Sequence, residues 1–203
     1  MKLTQRYLCL TPAVAAAFAL LAGSNCLAST PSAAPSPSAA PPAQQAAAPK
    51  LAMSATECVV WNRERSFAAS VEHHDAAAFA DHVHAQAAFD AGSPEPAHGR
   101  AAVVENWKEI IEGKDIKLRW SPGIVTIGGD GSMAISRGPS WLENLRPDAK
   151  SHWKIGEFIS TWVRDKDGQW RVLFDAGTAP MHPATAEEVA KLVASIPKEC
   201  PQG

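Results

Sequence analysis

The sequence predicts an α+β domain: a single curled, mostly antiparallel sheet packed on three N-terminal helices as a cone-shaped barrel, with a further C-terminal helix. Three observations carry this. Three helical segments fall within residues 54–112, with one strand run among them. Four runs of strand character then follow at 116–127, 132–142, 153–164 and 169–177, with no helix between them. The gaps between the runs hold turn chemistry: Gly128-Gly129-Asp130-Gly131, the polar stretch 144–150, and Asp165-Lys166-Asp167-Gly168.

Residues 1–28 read as a signal peptide. Lys2 and Arg6 make a basic start, residues 7–22 form an Ala/Leu-rich core interrupted by Pro12, and Cys26-Leu27-Ala28 sets small residues where a signal peptidase cuts. The core is short for a bilayer of roughly 30 Å. Asn25 stands where a lipoprotein signal wants Gly or Ala before its cysteine. A membrane therefore becomes a partner only if the N-terminus is retained or Cys26 is lipidated. Residues 29–50 are almost wholly Ala, Pro, Ser and Gln, with nothing large to bury, which predicts a disordered tether. The expected location is periplasmic or secreted. Cleavage removes Lys2 and Arg6 and no acid, so the net charge moves from −2 to −4. Such a chain lacks the basic face of a nucleic-acid binder, and no nucleic-acid partner is expected.

The remaining chain divides into a domain over 51–180 and a C-terminal helix and tail over 181–203. Ser54 and Glu57 have capping-box spacing, so a helix runs from there to about His73 with Val60, Phe67 and Val71 on one face and Glu64 inside that stripe. Asp75 caps a short helix over 76–82. Residues 84–90 form a first strand, Gly92-Ser93-Pro94-Glu95-Pro96 a loop. A third helix over 101–112 buries Val103, Trp107, Ile110 and Ile111 and ends at Gly113. After the four strand runs, Thr185 and Glu188 repeat the capping box, and Val189, Leu192, Val193 and Ile196 make one stripe before Pro197. Cys9 and Cys26 leave with the signal peptide. The remaining pair, Cys58 and Cys200, predicts a disulfide in an oxidising compartment.

This order of elements, with Glu64-Arg65-Ser66-Phe67-Ala68, Gly99-Arg100, Trp120-Ser121-Pro122, Gly138, Gly156-Glu157-Phe158 with Trp162, and Gly168-Gln169-Trp170-Arg171-Val172 running to Phe174-Asp175-Ala176-Gly177, resembles the nuclear transport factor-like superfamily. Ketosteroid isomerases and polyketide cyclases belong to it. The nearer resemblance is to its stand-alone bacterial ketosteroid isomerase homologues. The resemblance covers roughly residues 56–177 and implies a small-molecule cavity inside the cone. It implies no particular reaction, because one fold hosts enzymes and binders alike. Ketosteroid isomerases add a tyrosine and a protonated acid to their general base. The only tyrosine here is Tyr7, inside the signal peptide, so that arrangement is absent from the mature chain.

Three carboxylates are catalytic candidates. Glu64, on an apolar helix face, either lines the cavity or pairs with an arginine such as Arg137 or Arg171. Asp175 sits near the end of the last strand, where the resembling family carries a carboxylate; the alternative is an aspartate bonding neighbouring amides. Glu157 joins Ile155 and Ile159 on the concave side if it faces inward, and otherwise faces solvent. Trp107, Trp120, Trp141, Trp153, Trp162 and Trp170 crowd one small domain, and most belong in the core. Trp141 and Trp107, with Arg137, are the ligand-binding candidates. His82 and His84 have H-x-H spacing but straddle a helix end, so no metal is expected. Without a phosphate loop, dinucleotide fingerprint or Ser-His-Asp order, no cofactor is expected either.

These readings predict a secreted cone that binds a small apolar molecule. Two alternatives stand beside it: an isomerase, lyase or cyclase using a carboxylate acid–base on a carbonyl-containing apolar substrate, and a dimeric adaptor that uses its outer sheet face for partner proteins, the same face being the candidate for a homodimer.

Overall fold

The computed structural model describes residues 52–202, so the signal-peptide and tether readings lie outside the described residues. The first helix is set by its cap. The Glu57 amide donates to the Ser54 hydroxyl at 3.3 Å and the Ser54 amide donates to the Glu57 carboxylate at 2.8 Å, which starts α1 (Ala55–Glu72). Cys58, Trp61, Glu64, Phe67 and Val71 recur on its buried side at intervals of three and four. Asp75 accepts from the amides of Ala77 and Ala78 and starts α2 (Ala76–His82). The chain passes straight into β1 (Val83–Phe89), turns to β2 (Ala97–His98), and enters α3 (Arg100–Asn106) and α4 (Lys108–Glu112).

The helix expected over 101–112 is therefore two short ones joined at Trp107. Hydrogen bonding runs through the joint, from the Trp107 amide to Val103 and from the Ile111 amide to Trp107 at 3.0 and 2.8 Å. The helix is locally distorted there rather than ended. It stops at Gly113, which is left-handed at φ 64°, and a Cβ there would stand 2.5 Å from the His74 ring.

Six more strands complete the sheet: β3 (Ile116–Trp120), β4 (Ile124–Gly128), β5 (Met133–Asn144), β6 (Trp153–Arg164), β7 (Trp170–Gly177) and β8 (His182–Ala184). Their order is β2-β1-β7-β6-β5-β3, with β4 also paired to β5 and β8 to β6. Every pairing is antiparallel except β1 with β7. The run 116–127 is thus not one strand. β3 pairs with the far end of β5 and β4 with its start. The chain steps aside between them at Ser121-Pro122-Gly123, whose backbone lies against Gly138. A Cβ on Gly138 would collide with the Ser121 carbonyl and stand 2.6 Å from the Gly123 nitrogen, so this corner requires glycine.

The core lies between α1 and the concave face. Phe67 is central: its ring centroid is 5.0 Å from Phe79, 5.2 Å from Trp120 and 6.1 Å from Trp162. Thr185 and Glu188 form the second capping box at α5 (Ala186–Ser195). The tail then returns to the front of the domain. The Met53 amide donates to Pro201 at 2.8 Å, Arg65 donates to the Lys198 carbonyl, and Cys58 is bonded to Cys200 with their Cα atoms 5.6 Å apart. The disulfide pairing is the one expected from the cysteine count.

Candidate functional site

The site is built on one row of residues across the concave face. Ser136 of β5 stands opposite Ser160 of β6, and Ser160 stands opposite Asp175 of β7. Strict alternation from the buried Val172 would turn Asp175 outward. A bulge prevents this: Thr161 pairs with Phe174 and Trp162 with Val172, which leaves Leu173 as the extra residue. Phe174 then faces out and is exposed, and Asp175 faces in. The Ser160 hydroxyl donates to Asp175 Oδ2 at 2.7 Å.

Glu64 comes down from α1 onto the same row and is wholly buried, at 0% exposure. Trp120 Nε1 donates to its Oε1 and Trp162 Nε1 to its Oε2, each at 2.7 Å. Burial pushes the Glu64 carboxyl up from its ordinary range, and the two indoles with the nearby Ser136 and Ser160 hydroxyls oppose that shift. Asp175 is half-buried, and desolvation pushes its carboxyl up to about 7. The neighbouring Glu64 and Asp90 charges add to the rise, and the Ser160 hydrogen bond works against it.

Asp175 opens on a cavity of about 230 Å³. Trp107, Trp120, Phe158, Ile110 and Leu118 supply its apolar wall; Asp90, Asn106 and Ser140 join Asp175 as the polar part. Met181 also lines it. Gly156 makes room for Met181, since a Cβ on Gly156 would stand 2.9 Å from Met181 Cγ.

Of the residues singled out from sequence, Trp107 and Asp175 share this cavity. Glu64 is not part of its lining. It sits behind the wall, bonded by Trp120 and Trp162, with Ser160, the partner of Asp175, nearby. Nor does it pair with an arginine: Arg137 bonds Glu157 at 2.6 Å, and Arg171 bonds Asp167 at 2.8 Å and Asp165 at 3.2 Å. Two indole donors take the place of the expected cation. Glu157 borders the cavity, but its half-exposed carboxylate meets Arg137 on the face opposite Phe158 and Ser160. Trp141 is buried, yet alternation puts it on the face opposite Ser136 and Ser140, outside the cavity lining. Arg137, on the same outward face, likewise lies outside the lining of this cavity.

The His82 ring packs on Phe67 at 5.5 Å and its nitrogens meet Ser66 and the Ala78 carbonyl at 2.7 Å. His84 faces Asp165 at 3.8 Å. Among the described residues no three His, Cys, Asp or Glu side chains converge as a metal-binding group. Sequence reasoning passed over Ser160, Asp90, Asn106 and the indole donation of Trp120. One signal was available: Ser136, Ser140 and Ser160 interrupt otherwise apolar strand runs at inward positions.

A curled sheet closed by helices over an inward carboxyl and an aromatic-walled cavity defines the NTF2-like class of cone-shaped α+β domains. The chain belongs to the SnoaL-like domain family, whose model matches residues 65–174. Among solved structures it is similar to an NTF2-like superfamily protein from Salmonella enterica serovar Typhimurium, at 15% identity and TM-score 0.51, over 65% of this chain and 96% of that one. It is similar also to an NTF2-like protein of unknown function from Pseudomonas putida, at 16% identity and TM-score 0.50, over 62% and 87%. At these identities the likeness speaks for the fold alone. No curated protein sequence matches the chain. The Cys58–Cys200 bond is compatible with an extracellular compartment. Among the described residues no helix is long and apolar enough to cross a membrane.

Proposed function

We propose that the chain is a periplasmic or secreted protein that takes a flat apolar molecule of one or two rings into the cone and exchanges a proton with it at Asp175. The observation that carries this reading is a half-buried carboxyl, held by Ser160, facing a cavity whose wall is largely aromatic. The cavity's 230 Å³ or so falls just below the roughly 300–1,000 Å³ of drug-sized pockets, which sets the size of the occupant. A carboxyl near neutrality is suited to both taking and giving a proton. Asn106 adds an amide donor to the same lining.

1-Indanone is a suitable probe, a bicyclic ketone with exchangeable hydrogens beside its carbonyl. Saturation-transfer NMR reads its binding, and deuterium uptake in heavy water reads proton exchange. Exchange is expected to exceed buffer by a factor within the roughly 10²–10⁴-fold range of a positioned base. It should rise with pH and level off above about 7, as Asp175 ionises. Asp175→Asn should abolish it. Absence of saturation transfer, or exchange unchanged in Asp175→Asn, refutes the reading.

A second reading concerns the outer face and is independent of the cavity. Ile135, Thr161 and Phe174 stand side by side across β5, β6 and β7, with Ile135 48% and Phe174 43% exposed, and Met133 lies beside them at 43%. This apolar row supports a homodimer through the sheet. Sedimentation equilibrium should give a dimer that Ile135→Lys splits; a monomer at every concentration refutes it.

A further inference from the structure

Glu64 is a wholly buried carboxyl that neither touches the cavity nor meets a cation. Its two indole donors hold its oxygens in place. Two hydroxyls stand beside it. Ser160 already bonds Asp175 at 2.7 Å. Ser136 Oγ is buried with no hydrogen-bond partner, so it is free to accept a proton from a neutral Glu64 or to donate to an ionised one. Ser160 thus bonds Asp175 and stands two positions before Trp162, the strand residue that donates to Glu64, so a single hydroxyl lies between the two carboxyls' environments.

We propose that Glu64 is a positioning residue that shares one proton with Asp175 through the Ser160 hydroxyl. The exchange balances in one movement. Protonated Asp175 gives its proton to Ser160 Oγ, and Ser160 passes its own hydroxyl proton to a carboxylate oxygen of Glu64. Asp175 is left as a carboxylate, Glu64 as a neutral acid, and Ser160 as a hydroxyl turned toward Asp175. The negative charge moves from behind the wall to the cavity, where it can accept a proton from a bound molecule. The charge on Glu64 also disfavours charge on Asp175, as two carboxylates at one site do. Asp90 also raises the Asp175 carboxyl, and its contribution is present with and without Glu64. Among the lining residues the ionisable ones are Asp90, Glu157 and Asp175; β5 and β6 face the pair with Ser136 and Ser160, and α3 brings Asn106. The inference rests on the reading of Asp175 above and refines it.

The test needs no ligand, so its failure is distinguishable from failure of that reading. The protein is labelled with ¹³C at aspartate and glutamate carboxyls, and Asp175 and Glu64 are assigned from the signals lost in Asp175→Asn and Glu64→Gln. Amide dispersion in the same samples confirms the fold. Glu64→Gln should lower the Asp175 midpoint by on the order of one pH unit. The wild-type Glu64 signal should respond over the same pH range as Asp175. Against a Ser160→Ala background the effect of Glu64→Gln should shrink to what direct repulsion between the two carboxylates leaves, and Ser160→Thr should restore it. If Glu64→Gln does not fold, Asp175→Asn gives the reciprocal reading on the Glu64 signal, with the same dependence on the residue-160 hydroxyl. An effect of equal size with and without that hydroxyl overturns the relay, as does an Asp175 midpoint indifferent to Glu64.

Discussion

Reduction of the Cys58–Cys200 bond is expected to lower the unfolding free energy by up to about 5 kcal/mol, the chain-entropy figure for a loop spanning 142 positions. The bond joins the first turn of α1 to the tail beyond α5. Without it, the hydrogen bonds that hold the tail at that end among the described residues are those of Met53 with Pro201 and of Arg65 with Lys198. Hydrogen bonds contribute roughly 0.5–1.5 kcal/mol net each, so they cannot replace the crosslink. Urea unfolding with and without reductant, or of Cys200→Ser, reads the difference as a shift of midpoint. A loss under about 1 kcal/mol contradicts this account, as do two free thiols per chain in the unreduced mature protein.

Trp162→Ala should cost about 3–5 kcal/mol. The side chain is wholly buried, meets Phe67 edge-on at 6.1 Å, and stands on the long strand β6. The substitution also leaves Glu64 Oε2 without its indole donor. Trp162→Phe separates the two effects: it keeps most of the volume and loses the donor, for about 1–3 kcal/mol. Denaturant unfolding measures both. A loss under about 1 kcal/mol for the alanine variant is incompatible with the buried position of Trp162.

Local signals carried much of the fold. Both capping boxes, Asp75 as a cap, the Gly113 stop and the cysteine pair depend on residues close in sequence or on simple counting, and all are present. The misses depend on contacts distant in sequence. Nothing in 116–127 tells that Ser121-Pro122-Gly123 must step around Gly138. The Leu173 bulge shows only in the register between β6 and β7, yet it decides that Asp175 faces inward. Strand facing was ambiguous for a related reason. The outer face carries Ile124, Met133, Ile135 and Phe174, so alternation separates two apolar faces without saying which is concave. Glu157 could be read as facing inward or toward solvent for that reason. Glu64 stood out because a carboxylate in a helix's apolar stripe is conspicuous, while its partners on β3 and β6 are 56 or more positions away.

Asp175 is a desolvated carboxyl poised at the cavity wall, and its titration measures that state most directly. The ¹³Cγ signal lost in Asp175→Asn should titrate in the wild-type protein with a midpoint of about 7. A midpoint near the solvated aspartate value of about 3.9 would mean that Asp175 faces water as an ordinary carboxylate, and would contradict the site as described here.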